Sequence, residues 1–282
     1  MVSLEIQKMK RDLRARLGRF VTTDSKRHYP HLYRVLEDIH NSNLPAFLCG
    51  GAVRNMLLCN NSIPRDLDII LGYVSRERLK TLFPDNIIKG QTSLGGLKLQ
   101  VKDWSIDLWP IQDTWAFKEG KVAGTGFSDY PETTFLNIEA VAIQLFSKRR
   151  QKRKIYSKGF FEAIIEKTIE LNFEDNPTPT ECIIRALRIA SEFKFVIGPR
   201  LARYMLSYIN QIEIEELAEK YQRRYMSADV TVEKLHNCFK SIETQMQAYV
   251  KKPVRIFDEQ NRIFFKQSHG LDKRNRNLFV KT

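Results

Sequence analysis

The chain has 282 residues, 43% hydrophobic and 28% charged, which is length and apolar content enough for one large or two small globular domains and describes a globular protein rather than a disordered one. No run approaches the roughly 18 consecutive apolar residues of a membrane span, and the charge scattered through residues 1–20 argues against a secretory leader, so a cytoplasmic protein is expected. Lys and Arg number 46 against 33 Asp and Glu, a net charge of +13 that suits a polyanionic partner.

That excess is local. Residues 1–20 carry six basic and two acidic side chains, residues 148–158 carry seven basic and none acidic, and residues 251–282 carry nine basic and three acidic. Patches of this kind meet phosphates. Cys49, Cys59, Cys182 and Cys238 show no CxxC spacing, and the five histidines are scattered. Reduced thiols are expected, with no zinc site.

In chain order, Leu4 to Phe20 reads as a charged helix with an apolar stripe of Ile6, Met9, Leu13 and Leu17. A second helix is predicted near His31 to His40. Pro45 to Cys49 is a short apolar strand that stops at Gly50-Gly51, and a helix follows from Ala52 to Leu58. Asp66 to Leu71 is a strand whose alternation sets Asp66 and Asp68 on one face and Leu67 and Ile69 on the other. Arg76 to Leu82 is predicted helical, with strands at Ile87-Ile88, Leu97 to Val101 and Ser105 to Leu108.

Beyond Asn137 helical periodicity dominates, over Asn137–Phe146, Phe160–Leu171, Thr180–Phe195, Pro199–Ile209 and Thr231–Val250. The expected architecture is α+β: a small mixed sheet with helices, then an all-helical body. The expected divisions are an N-terminal helix at 1–22, a head at 23–147, a neck-like helical region at 148–210 and a basic helical end at 211–282.

Two aspartates one residue apart on a strand project the same way, about 6 to 7 Å apart, so their carboxylates can converge on hard cations. A third acid on a neighbouring strand would complete such a site. Asp107 is preferred, and Asp103, which shares its strand parity, is the competitor. A Gly-Gly between strand and helix can present backbone N–H groups to an anion, and Arg54 in the first turn can add a charge-assisted contact.

The run Gly50-Gly51-Ala52-Val53-Arg54-Asn55-Met56-Leu57-Leu58, followed by Pro64-Arg65-Asp66-Leu67-Asp68-Ile69, resembles the GGxVRDxLLG and DxD head signature of class II tRNA nucleotidyltransferases and bacterial poly(A) polymerases. The resemblance implies a polymerase-beta-type palm. Asp66, Asp68 and Asp107 would be its catalytic carboxylates and ligands of Mg²⁺ or Mn²⁺, and Gly50, Gly51 and Arg54 would bind the triphosphate. This chain has Asn55 where the pattern has Asp. Glu132 to Ala142 takes the place of the RRDFTINAMA segment, with Thr133, Thr134 and Phe135 replacing Arg-Arg-Asp. Arg185-Ala186-Leu187-Arg188 resembles the end of EDxLRxxRAxRFA, which implies nucleotide contact by Arg185 and Arg188. Thr178, Pro179 and Cys182 stand where that motif has its base-selecting Glu, Asp and Arg. The same helix reads locally as an N-cap at Thr178, proline at N1 and a capping-box Glu181, with Glu181–Arg185 and Arg188–Glu192 at ion-pair spacing.

The implied activity is transfer of a nucleoside monophosphate from an NTP to an acceptor hydroxyl, the 3′ end of an RNA such as tRNA. Two alternatives stand beside it: a toxin or defence-type nucleotidyltransferase acting on tRNA or another target, and an RNA-binding pseudoenzyme. Lys148, Arg149, Arg150, Lys152, Arg153 and Lys154 are the expected RNA contacts. Arg262 to Lys266 and Lys273 to Arg276 form a second basic and aromatic segment.

Overall fold

A computed structural model describes residues 2–59, 66–92, 95–148, 150–225 and 230–256. Pro64 and Arg65 of the motif, the expected RNA contact Arg149 and the basic and aromatic segment from 262 to 276 lie outside these. The chain divides into two compact units, residues 1–165 with 172–175, and residues 166–171 with 176–282.

The first unit opens with α1 (Val2–Arg19), whose stripe buries Leu13 and Leu17 completely. A π-helical turn at Phe20–Asp24 leads into α2 (Ser25–His28) and α3 (Pro30–Asn41). Then follow β1 (Ala46–Cys49), α4 (Gly50–Leu58), β2 (Asp66–Leu71), α5 (Arg76–Thr81), β3 (Ile88–Gln91), β4 (Leu97–Val101) and β5 (Trp104–Pro110). The unit continues with α6 (Trp115–Lys118), β6 (Val141–Gln144), β7 (Ile155–Ser157) and α7 (Phe160–Glu166).

One mixed sheet runs β3-β4-β5-β2-β1-β6-β7, with β2 and β5 parallel and the other neighbours antiparallel. Alternation sorts its two faces. Leu67, Ile69 and Leu71 of β2 with Ile106 and Leu108 of β5 point into the larger core, which also takes residues of α1, α3, α4 and α7. The opposite face carries a smaller apolar cluster of Phe47, Cys49, Ile70 and Ala142, and Phe47 stacks on Phe127 at 4.2 Å. Truncating a fully buried leucine such as Leu13 or Leu36 of the larger core should cost about 2 to 5 kcal/mol.

Three expectations are corrected. Asn137–Phe146 is not a helix: a 3₁₀ turn at Asn137–Glu139 precedes β6, whose Val141, Ala142 and Ile143 are all buried. β6 pairs on both edges, and a strand buried on both faces reads as a continuous apolar run that periodicity cannot tell from a helix. The expected division at 147/148 falls inside the first unit, because β7 completes the β6 hairpin and α7 closes the larger core. The segment 1–22 likewise belongs to this unit.

The second unit holds β8 (Thr168–Ile169), α8 (Pro179–Phe193), β9 (Val196–Ile197), α9 (Pro199–Ile209), α10 (Ile214–Tyr225) and α11 (Val232–Ala248). It is helical but not all-helical: β8 pairs in parallel with β9, and Ile197 bridges Val254. The helix expected to run to Leu171 therefore ends at Glu166. Glu170 then caps α9, accepting from the backbone N–H of Leu201 at 2.7 Å and of Arg200 at 3.2 Å. Helix α10 was not foreseen.

Candidate active site

The two strands that run parallel carry the acids. Asp66 is in register with Ser105, and Asp68 lies directly opposite Asp107, about 4.8 Å away at the backbone. Burial along β2 and β5 alternates, so Asp66, Asp68 and Asp107 share one face while their apolar neighbours fill the core behind. Across β4, Lys98 is the register partner of Asp107. On the other side Cys49 pairs with Asp68 and Ala142 with Cys49. Asp103 lies in the turn between β4 and β5 and is exposed, so strand register favours Asp107 over it.

Burial raises the proton affinity of Asp107 above the ordinary carboxylate range. Lys98 opposes that rise and Asp66 adds to it. Its Oδ1 is buried without a hydrogen-bond partner among the described residues. An unpaired buried carboxylate oxygen is costly in a folded chain and is a natural place for a cation to bind. The thiol of Cys49 is pushed well up, first by complete burial and then by Asp68, so it remains a neutral neighbour.

Among the described residues no three acid, His or Cys side chains are drawn close enough to hold a metal ion. The donor chemistry nevertheless fits a hard cation: carboxylate oxygens only, on adjacent strands, one of them unsatisfied.

The glycine turn is built against these acids. Gly50 adopts φ +62°, the left-handed region that favours glycine, and a Cβ there would lie 3.8 Å from Asp68 Oδ2. It is also the first residue of α4, so the glycines form the first helical turn instead of preceding it. Its N–H groups thus begin a helix beside the carboxylates.

Arg54 was expected to reach phosphate. Instead it is 8% exposed, and its Nη1 donates to Glu139 Oε1 at 2.7 Å while its Nε donates to Asn55 Oδ1 at 3.1 Å. Glu139 is 9% exposed and closes the 3₁₀ turn before β6. The pair therefore fixes the first turn of α4 to that segment, and a Cβ on Gly51 would stand 3.4 Å from Arg54 Nη2 and 3.7 Å from Glu139 Oε1. Glu139 escaped the sequence reading. Its signal was an acid in the otherwise apolar run Ile138 to Ile143, in a sequence that carries Asn55 where the resembled motif has Asp.

In the second unit α8 places Cys182 in the core and leaves Arg185 half-buried and Arg188 exposed. Arg188 Nε lies 3.5 Å from Glu192, and its guanidinium sits 4.2 Å from the centroid of the Tyr225 ring. The capping box does not form. Thr178 makes no side-chain cap bond; its N–H and hydroxyl donate to Asn176 Oδ1, and Glu181 pairs with Arg224 of α10. Tyr221 of α10 is buried, which raises its phenol far above the usual range.

Of the expected RNA contacts, Lys148, Arg150, Lys152 and Lys154 are exposed. Arg153 is not a free surface cation. Its Nε donates to the Leu145 carbonyl at 3.2 Å, and half-burial lowers its pKa.

No protein-family model and no curated protein matches the chain. Solved structures do. The Bacillus stearothermophilus CCA-adding enzyme in complex with CTP is 15% identical with a TM-score of 0.52, over 76% of this chain and 51% of that one. A tRNA nucleotidyltransferase complexed with a primer tRNA and an incoming ATP analog is 17% identical with a TM-score of 0.50, over 76% and 60%. A tRNA-processing enzyme complex is 18% identical with a TM-score of 0.50, over 76% and 56%. The chain thus has a divergent fold of the class II tRNA nucleotidyltransferase type and spans between half and three-fifths of the length of these structures.

Proposed function

We propose that the chain is a nucleotidyltransferase that moves a nucleoside monophosphate from an NTP to an acceptor hydroxyl, at the 3′ end of an RNA such as tRNA. The observation that carries this reading is the register of β2 against β5. It sets Asp68 beside Asp107, with Asp66 on the same face and the Gly50 turn within van der Waals reach of Asp68. No other cluster of acids in the described first unit combines strand-held carboxylates with a glycine-led helix N-terminus.

In this reading the N–H groups at Gly50 and Gly51 bind the triphosphate, as a helix start binds anions. Arg54 adds its charge from behind, oriented by Glu139. Asp66, Asp68 and Asp107 would hold magnesium or manganese, which when bound neutralises the triphosphate and lowers the pKa of the acceptor hydroxyl. That hydroxyl attacks the α-phosphorus in line as the bond to pyrophosphate breaks, so no covalent intermediate on the protein is required. Arg185 stays a proposed nucleotide contact, whereas Arg188 would have to leave Glu192 and Tyr225 to reach one.

A second reading is favoured by Thr178, Pro179 and Cys182 at the start of α8: a toxin or defence-type enzyme that modifies tRNA or another target with loose or single-type nucleotide choice. Without a hydrogen-bonding template a site cannot penalise the wrong base with unpaired polar groups. The pseudoenzyme reading is the weaker one, since convergent acids with an unsatisfied oxygen repel one another and cost stability.

The deciding experiment incubates the purified protein with total RNA, Mg²⁺ or Mn²⁺ and each labelled NTP separately, then sequences the labelled ends. Label at RNA 3′ ends that disappears in Asp66→Ala/Asp68→Ala supports the proposal. Label from none of the four NTPs, or label that persists in the double variant, overturns it. Ordered addition of C, C and A to a trimmed tRNA would exclude the loose or single-type choice of the second reading.

A further inference from the structure

Two basic segments far apart in the chain are joined in the first unit. Helix α1 lies against the connection between β6 and β7: Arg14 Nε donates to the Arg153 carbonyl at 2.9 Å, and a Cβ on Gly18 would stand 3.2 Å from the Arg153 guanidinium. Arg153 in turn donates to Leu145 at the end of β6. It is thus the structural seam between the two segments, with its charge turned inward.

Around this seam the cations face water. Lys8, Arg11 and Arg19 of α1 and Lys148, Arg150, Lys152 and Lys154 of the β6–β7 connection are exposed. Of these seven, Arg11 alone has an ion-pair partner among the described residues, Asp12 at 3.8 Å. Like charges gathered this way repel one another at low salt, and a polyanion removes the repulsion.

From this juxtaposition we infer that α1 and the β6–β7 connection form one continuous phosphate-binding surface for the body of a structured RNA. The inference rests on the proposed function only for the choice of RNA as polyanion. The surface lies toward the β7 edge of the sheet and the face packed by α1, three strands away from β2, roughly 14 Å by strand spacing. It would hold RNA at a distance from the reacting end. An anionic membrane is disfavoured because a helix that lies in a bilayer needs a free apolar face, and the stripe of α1 is already spent in the core at Leu13 and Leu17, with Ile6 and Met9 packed against it.

The test measures binding of a tRNA-sized RNA by fluorescence anisotropy across 50 to 200 mM salt, without NTP. It compares the full chain with Lys8→Ser/Arg11→Ser/Arg19→Ser and with Lys148→Ser/Arg150→Ser/Lys152→Ser/Lys154→Ser. All seven positions are exposed, and melting curves check that both variants fold. Each lost phosphate contact should flatten the slope of log K against log salt by about 0.7 to 0.9. The α1 variant should therefore bind at least about tenfold more weakly at low salt, with a slope shallower by about 2. Normal affinity and slope in the α1 variant, with weakening in the other, would confine the surface to the β6–β7 connection and overturn the inference. So would binding to phosphatidylserine vesicles that exceeds binding to RNA and is lost in the α1 variant. Because no nucleotide is added in this assay, a chain incapable of transfer would give the same binding result, and the two readings fail separately.

Discussion

The parallel strands β2 and β5 of the first unit and helix α8 of the second both present charged side chains in motifs of the same resemblance, yet they spend them differently. Asp107 keeps a buried oxygen without a hydrogen-bond partner among the described residues, beside Asp68, and burial raises its proton affinity with a lesser push from Asp66. On α8 the charges are committed within the unit: Arg188 to Glu192 and Tyr225, Glu181 to Arg224. Unsatisfied polar groups persist in a marginally stable fold at a cost of about 1 to 3 kcal/mol each, so the unsatisfied place is where a ligand is expected. Under the proposed function, the acids at the sheet are left for a ligand, whereas the charges of α8 serve contacts within their own unit.

The largest effect should come from the acids. Asp66→Asn with Asp68→Asn should lower transfer of labelled NMP at least about a thousandfold, comparable to removal of a principal electrostatic group in other enzymes, with the circular dichroism spectrum intact. A double variant that still transfers at near wild-type rates would break the comparison at its first half.

Next is the buried pair that holds the glycine turn. Glu139→Ala leaves the Arg54 charge unpaired and should destabilise the first unit by about 3 to 5 kcal/mol, read as a lower melting temperature. Glu139→Asn should cost stability similarly, and adding Asn55→Asp to it should recover a large part, because residue 55 already accepts from Arg54 Nε. Failure of that relocation would mean that the charge is needed on the 3₁₀ turn itself.

A smaller, pH-dependent effect belongs to Asp107. Its folded-state pKa lies above its unfolded one, so its contribution to stability is fully present below the unfolded value and lost as pH rises through the folded one. Asp107→Asn should therefore raise the melting temperature in metal-free buffer at neutral pH, and the gain should vanish below about pH 4. An unchanged melting temperature across that range would remove the strain ascribed to the acid face.

The smallest is Arg188→Ala. If its guanidinium serves Glu192 and Tyr225, nucleotide preference should change less than about twofold, with a stability loss of about 1 kcal/mol from the exposed ion pair and ring contact. A large change in preference among the four NTPs would put Arg188 on the nucleotide and erase the contrast with β2 and β5.

Local sequence alone was enough to establish the strand–glycine–helix of β1 and α4, the one-face placement of Asp66 and Asp68, the stripe of α1 and most helices of the second unit. Each depends on a repeat of two or 3.6 residues, or on the conformational freedom of glycine, over a few neighbours. Other features required partners distant in the chain. The preference for Asp107 over Asp103 was legible in the sequence, but its support needed the parallel register of β2 with β5, because both acids share parity within their own segment. The identity of β6 needed the two strands that bury it. Arg54 was legible as a cation at a helix start, but its partner, 85 residues away, was not. The union of α1 with the β6–β7 connection came from packing between segments more than a hundred residues apart. Side chains on one element reveal their direction through periodicity, whereas the group they meet is decided by which elements the hydrophobic core brings together.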